Sequence, residues 1–243
     1  MGYTKVNLDA GLNLLGQQYV NVGNDTILDI QDIIKSVDII GHDGLIPQTT
    51  LLIWTGSGYT PYFYASSQNA IDWAAEYGEQ YLDRSDKWVD GTWDIIPYLV
   101  PVTNGLAFWI DTPGKSTFYF SGQVYTPDIA TVPLAAGLNL VANPFPINWD
   151  IQDFTSTDFI GHDGLIPQSE MLIWDGGGYE SCFYASYENA IEWAAEYGDQ
   201  YLDRGGKWVD GTWNIIIDKK IAPGKGFWIN SLTTAELQFQ ITK

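Results

Sequence analysis

The chain has 243 residues, 45% hydrophobic and 15% aromatic, with 30 acidic against 11 basic side chains and a formal net charge of −19. Such a polyanion repels phosphate backbones and anionic lipid, which argues against nucleic-acid partners, and its apolar content argues against disorder. No apolar run approaches the roughly 20 residues that span a bilayer, and a single cysteine, Cys182, rules out an intramolecular disulfide.

In chain order, residues 4–8 alternate as a strand does, and residues 11–15 follow a turn. Asp29-Ile30-Gln31-Asp32 opens a short helical turn. Residues 51–54 and 59–65 flank the glycine-rich Gly56-Ser57-Gly58 and read as a hairpin. Ser66-Ser67 caps a helix over residues 68–77, with Ile71, Ala74 and Ala75 along one side and Gly78 as its stop. Residues 81–84 and 87–89 flank Ser85-Asp86, where the second half has Gly205-Gly206; a two-residue hairpin of the primed type is expected there. Residues 106–110 and 117–120 make a final strand pair. The second half repeats the series: strands at 132–134 and 137–141, a helical start at Asp150-Ile151-Gln152-Asp153 and a helix over 186–198.

These elements define a mainly β fold of two tandem homologous domains, sandwich-like or barrel-like, each with one short α-helix. The expected boundaries are 1–126 and 127–243. The joint, Tyr125-Thr126-Pro127-Asp128, is short, so the two halves are expected to pack on each other.

The duplication is uneven. GHDGLIPQ at residues 41–48 returns letter for letter at 161–168, and residues 38–96 align without a gap to 158–216 with 43 of 59 positions identical. The flank 105–123 matches 224–242 at only 5 of 19 positions. Polar residues such as Gln48, Gln80, Arg84, Lys87 and Asp90 agree along with the apolar ones. Packing alone lets surface positions drift, so three accounts stand: recent recombination, a ligand site present twice, or two middles facing each other across a pseudo-twofold axis.

Two terminal motifs carry a resemblance. Gly137-Leu138-Asn139-Leu140 runs into Asn143-Pro144-Phe145-Pro146, and the same half closes with Gly224-Lys225-Gly226-Phe227-Trp228-Ile229. This resembles a β-rich module of bacterial secreted and cell-surface proteins, which opens G-x-N-L-x-x-N-P-F/L and closes G-x-G-F/Y-W-I/V. The first half departs from it: Gly11-Leu12-Asn13-Leu14 is followed by Gln17-Gln18-Tyr19, and its closing motif is Gly105-Leu106-Ala107-Phe108-Trp109-Ile110. The resemblance covers both ends of each half and excludes the near-identical middle. It implies a β fold and an extracellular or cell-surface setting, with a signal peptide already removed and Met1-Gly2 as added residues; it brings no catalytic residues. The motif Asn should bond main-chain groups beside its glycine turn, and the Phe-Trp pair should place one ring in the core.

Several constellations bear on function. The two histidines, His42 and His162, are each followed by an acid, Asp43 and Asp163. With Gln48 and Gln168 they mark an interface or a site, because an imidazole beside a carboxylate suits a base or a ligand, although His-Asp-Gly is also a natural turn. Asp72 and Glu76 stand four apart on the helix, as Glu192 and Glu196 do, offering a carboxylate pair of the kind a glycosidase uses or simply a solvated acidic face. Asp83 and Asp90, with Asp203 and Asp210, are candidate calcium ligands; otherwise no cofactor is indicated. Trp54, Tyr59, Trp88, Asp90 and Trp93, matched by Trp174, Tyr179, Trp208, Asp210 and Trp213, combine aromatic faces with carboxylates and so suit a sugar, though such rings also fill β-domain cores.

Three functions follow. The first is a non-catalytic extracellular or cell-envelope module with a structural, assembly or adhesive role and other protein subunits as partners. The second is a bivalent binder of a surface glycan. The third is a hydrolase using an acid pair or His-Asp, disfavoured because no catalytic motif accompanies them.

Overall fold

Residues 2–20, 31, 42–96, 105–124, 128–154 and 162–240 are described by the structure, a computed structural model. They fall into two units, Met1–Tyr125 and Thr126–Lys243, and both are mainly β.

The first unit contains β1 (Gly2–Leu8), β2 (Gly11–Gly16), β3 (Tyr19–Val20), β4 (His42–Asp43), β5 (Ile46–Pro47), β6 (Thr50–Trp54) and β7 (Tyr59–Ala65). Helix α1 (Ser67–Tyr77), a 3-10 helix (Glu79–Arg84), β8 (Lys87–Val89), β9 (Ala107–Thr112) and β10 (Ser116–Val124) follow. Two antiparallel sheets result, β1-β10-β3 and β2-β9-β6-β7-β8. The core lies between them. Val6, Leu8 and Phe118 come from one sheet, and Leu15, Leu51, Ile53, Phe108 and Ile110 from the other. Strand alternation sets this arrangement: Val6 and Leu8 are buried while Lys5 and Asn7 face solvent.

The second unit has a five-stranded sheet of the same order but differs in the strands beside it. It contains β11 (Ile129–Leu134), β12 (Gly137–Ala142), β13 (Trp149–Asp150), a 3-10 turn (Ile151–Asp153), β14 (His162–Asp163), β15 (Ile166–Pro167), β16 (Glu170–Trp174) and β17 (Tyr179–Ala185). Then come α2 (Tyr187–Tyr197), a 3-10 helix (Asp199–Arg204), β18 (Lys207–Val209), β19 (Lys220–Ile221), β20 (Gly226–Ser231) and β21 (Ala235–Gln240). Its five-stranded sheet is β12-β20-β16-β17-β18, with β11 paired to β21. Here the core is aromatic: Phe154 lies 5.4 Å from Phe227 and 5.0 Å from Phe239, and Trp149 lies 5.6 Å from Phe145.

The two motif glycines, Gly11 and Gly137, take φ +93° and +96°, a region that favours glycine. The Asn two residues later bonds locally: Asn13 Nδ2 donates to the Asp9 and Gly11 carbonyls, and Asn139 Nδ2 to those of Ala135 and Gly137. Phe108 enters the core, and Trp109 lies buried on the opposite face of β9.

Two expected hairpins are corrected. Residues 81–84 are not a strand but part of the 3-10 helix, and Lys87–Val89 pairs with β7. The intervening turn is of type II: Ser85 has φ −52° and ψ 124° and Asp86 φ 57°, matched by Gly205 at φ −55°, ψ 124° and Gly206 at φ 74°. Only the second position needs positive φ, which is why Ser85 fits where the other half has glycine. The second correction concerns β9 and β10. They do not pair, because β9 is already flanked by β2 and β6, so the chain turns at Pro113-Gly114 and β10 joins β1 in the other sheet.

Candidate functional site

The near-identical middle of each half forms a small second core where the helix packs on the last two strands of the five-stranded sheet. In the first unit Ala65, Trp73 and Val89 are its buried centre, packed by Leu45, Phe63, Tyr81 and Trp93. Ala185, Trp193 and Val209 do the same in the second, with Leu165, Phe183, Tyr201, Trp213 and Ile215 around them.

Helix α1 begins with a capping box. Asn69 N–H donates to Ser66 Oγ at 3.2 Å, and Ser66 N–H donates to Asn69 Oδ1 at 3.1 Å. Gly78 ends the helix at φ 112°, its N–H bonding the Ala74 carbonyl at 3.0 Å. The buried side is Asn69, Ala70 and Trp73. The side bearing Ile71 and Ala75 faces solvent instead, and Ala74 is half-buried. A polar residue therefore leads the packed face, because its amide has work to do there.

That work is to hold the GHDGLIPQ hairpin. β4 and β5 pair His42 with Pro47 and Asp43 with Ile46, turning at Gly44, φ 57°. Asn69 Nδ2 donates to the Gly44 carbonyl at 3.1 Å and Trp73 Nε1 to the Leu45 carbonyl at 2.7 Å. Asn189 and Trp193 repeat both bonds, to Gly164 and Leu165, at 3.1 and 2.7 Å.

The WVDGTW loop is built as tightly. Asp90 Oδ1 accepts the Thr92 N–H at 2.8 Å, the Thr92 hydroxyl at 2.7 Å and the Asp94 N–H at 3.1 Å. Partial burial pushes the Asp90 carboxyl upward, but these bonds outweigh it and leave the pKa below the ordinary carboxylate value; Asp210 behaves alike through Thr212 and Asn214. The next turn sets Trp93 at φ 65°, uncommon for a bulky residue. Its ring stacks on Trp73 at 5.2 Å with 28° between planes, and Trp213 stacks on Trp193 at 4.9 Å and 26°. Arg84 closes the layer. Its guanidinium lies 4.5 Å over the Tyr81 ring and donates to the carbonyls of Trp93 and Gln80.

Edge strand β8 is finished by a side chain. Gln31 Nε2 donates to the Trp88 carbonyl at 2.8 Å, and its Oε1 accepts the Trp88 N–H at 3.0 Å. Gln152 makes the same two bonds to Trp208 at 2.8 and 3.1 Å, and its Nε2 also donates to the Ile216 carbonyl at 2.8 Å. In the first unit one amide thus joins the Val89–Ile95 bridge and the Ile96 N–H, 3.3 Å from the same Trp88 carbonyl, in covering the strand's outer edge. Sequence reasoning gave neither glutamine a role, although the recurring D-I-Q-D spelling was a signal.

The expected site residues separate into three groups. Trp88 and Trp208 are buried at 1% exposure, ringed by Tyr64 and Tyr184 at 5.4 Å, so they belong to the core and offer no surface to a sugar. Trp93, Trp213, Asp90 and Asp210 hold the loop just described. Trp54 and Tyr59, with Trp174 and Tyr179, stand on the outer sheet face with ring pairs at 5.2 and 5.1 Å. There Trp109 Nε1 donates to the Tyr59 hydroxyl at 3.0 Å and Trp228 Nε1 to that of Tyr179 at 3.1 Å. The side chains of His42, Asp43, His162 and Asp163 lie outside the described residues; Gln48 is exposed and Gln168 half-buried.

The candidate calcium ligands are each engaged: Asp83 pairs with Arg84 at 2.5 Å and Asp203 with Arg204, while Asp90 and Asp210 accept loop donors. Among the described residues no group of three or more His, Cys, Asp or Glu is placed to hold a metal ion. Cys182 is buried, and that burial pushes its thiol up to about 12, so it is neither nucleophile nor ligand at neutral pH. No helix among the described residues is long and apolar enough to cross a membrane. No family model, curated protein or solved structure matches the chain.

Proposed function

We propose that the chain is a non-catalytic module of the extracellular space or cell envelope, built from two homologous β-sandwich domains, with a structural, assembly or adhesive role. The observation that carries this is the fate of the shared polar residues. Asn69, Arg84, Asp90 and Thr92, and their counterparts Asn189, Arg204, Asp210 and Thr212, are committed to main-chain and loop groups of their own unit. Asp90 and Asp210 are held ionised, the reverse of what a general acid needs. The terminal G-x-N-L and F-W-I motifs and their resemblance support the envelope setting. Antibody staining of intact producing cells is expected without permeabilisation. Staining only after lysis, or turnover of fluorogenic glycosides lost in Asp72→Asn/Glu76→Gln, overturns the reading.

A second reading, glycan binding, is favoured by the sheet-face pairs. Tyr59 and Tyr179 are the more exposed partners, and each hydroxyl is oriented by a tryptophan N–H. Any binding on a glycan array should then fall in Tyr59→Ala/Tyr179→Ala.

A further inference from the structure

Each unit leaves the same apolar side chains uncovered on its helix layer. Ile71 is 52% exposed and its counterpart Ile191 61%; Leu82 is 49% exposed and Leu202 51%; Tyr77 and Tyr197 are half exposed. None of them belongs to the buried centre of the second core, which α1 serves through Asn69, Ala70 and Trp73. Where the layer differs between units, Asp72 and Glu79 exchange one acid for the other as Glu192 and Asp199, and the remaining changes fall at its start and in the following turn: Ser67, Gln68, Ser85 and Asp86 become Tyr187, Glu188, Gly205 and Gly206. The uncovered Ile, Tyr and Leu stay unchanged.

Around them the charge has one sign. Between Ser67 and Arg84 the chain has Asp72, Glu76, Glu79 and Asp83 against one base, and the second unit has five acids against one. That base, Arg84, has a side chain only 14% exposed and is spent on Asp83, Tyr81, Gln80 and Trp93, which leaves the layer's other acids in excess. An apolar face with acids in excess around it selects a partner that is apolar and cationic. Like charge disfavours a second copy of a chain at −19 and an anionic membrane alike.

We propose that the exposed helix layer of each unit is a docking face for a basic amphipathic segment of another protein, two equivalent faces per chain. The proposal rests on the assembly and adhesion reading and names the chemistry of its partner. Leucine or aromatic side chains of the partner cover Ile71 and Leu82, and its lysines or arginines face Glu76 and Glu79. Two faces on one chain give avidity toward a partner that presents such segments repeatedly.

The probe is a fluorescein-labelled amphipathic peptide of Lys and Leu, titrated into the full chain at near-physiological salt. Two sites per chain are expected. Ile71→Ser/Leu82→Ser should leave one, and adding Ile191→Ser/Leu202→Ser should weaken binding at least about tenfold overall. As these side chains are exposed, near-UV circular dichroism should not change. A second variant, Glu76→Gln/Glu79→Gln/Glu196→Gln/Asp199→Asn, should weaken binding and flatten its salt dependence. Unchanged affinity in the four-serine variant overturns the proposal, as does equal affinity for a Lys/Ser peptide or for a Glu/Leu peptide. A self-association lost on the serine substitutions would assign the face to a second copy instead. Failure here with surface staining intact removes the docking face alone; internal staining with peptide binding intact removes the envelope reading alone.

Discussion

The main core and the second core of each unit obey different rules. The main cores share the order of the five-stranded sheet but are filled differently: Tyr19, Tyr64, Trp88, Phe108 and Phe118 with aliphatic neighbours in the first unit, and the ring cluster of Phe145, Trp149, Phe154, Phe227 and Phe239 in the second. The second cores coincide residue for residue. Apolar volume can be redistributed while a sheet keeps its shape, since cores accept many hydrophobic solutions. A loop layer has no ladder to hold its main chain. Side chains must supply the partners, and a carbonyl at Gly44 or Leu45 accepts from one donor of fixed reach. Polar identity is thereby held as tightly as apolar identity in the main core, which answers why Arg84 and Asp90 recur without any need for a catalytic role.

The largest effect is expected at Trp73. Trp73→Ala removes a buried indole, its stack on Trp93 and its bond to Leu45, and should cost about 3–5 kcal/mol in chemical denaturation. Trp193→Ala should cost the same, whereas loss of a single main-core ring should be offset more variably between units. Asp90→Ala comes next, at about 1–2 kcal/mol, since three donors lose an ionised acceptor. The sign with pH is fixed by the low carboxyl pKa of the folded state. Its contribution is present above the ordinary value of 3.8 and is lost as pH falls through the folded value. The gap between wild type and Asp90→Ala, measured by urea midpoints, should therefore close as pH falls below 3.8. A gap that stays constant would mean the carboxylate is not what holds the loop.

What was legible in the sequence follows the same division. Strand alternation at Val6 and Leu8, the glycine-rich hairpin between β6 and β7, and the Ser66 and Gly78 caps are local signals, and they were readable. The packed side of α1 was not, because hydropathy favours Ile71 over Asn69, while the structure uses Asn69 for two roles, cap and hairpin anchor. Trp88 looked like a surface ring because it neighbours Asp90, yet β8 turns it inward against Tyr64. The placement of β10 depends on which edges of β9 are taken, a fact no local pattern carries. Gln31 and Gln152 were spelled out in a repeated motif, but their partner strand lies more than fifty residues away in the chain.

A smaller asymmetry separates the units at high pH. Burial holds Cys182 as a thiol up to about 12, against an ordinary 9.0, and its counterpart in the first unit is Tyr62. Burial and the nearby Asp86 carboxylate raise Tyr64 to about 12, against 10.0. Both folded states favour the protonated group, so stability is complete below the unfolded pKa and lost as pH rises through the folded one. The second unit should begin to weaken from about pH 9 and the first from about pH 10. Cys182→Ala should remove the earlier onset, and iodoacetamide should label wild-type Cys182 only as the second unit opens. Labelling of the fully folded chain at pH 8 would contradict its burial.

The smallest effect lies beside the second cores, at the helix start and the turn that follows the 3-10 helix, where the two units differ. In the first unit Ser67 Oγ donates to Asp86 at 2.9 Å, Ser85 Oγ meets Ser67 Oγ at 3.0 Å, and Tyr64 donates to Asp86 at 3.4 Å. The second unit replaces the trio with Tyr187, Gly205 and Gly206. A Cβ on Gly205 would stand 2.6 Å from Tyr187 Cδ1, so the ring occupies the space that Ser85 fills in the other unit. The exchange is coupled. Gly205→Ser should destabilise by about 1 kcal/mol because the ring must swing away, and Tyr187→Ser alone should cost less. The double variant should recover about 0.5–1 kcal/mol of coupling in a denaturation cycle. Ser85→Gly in the first unit has no ring to release, so it should show no such coupling with Ser67→Ala beyond the loss of one exposed hydroxyl bond. Strict additivity in the second unit would mean that the two solutions evolved at independent positions rather than as a packed ring exchanged for a polar network.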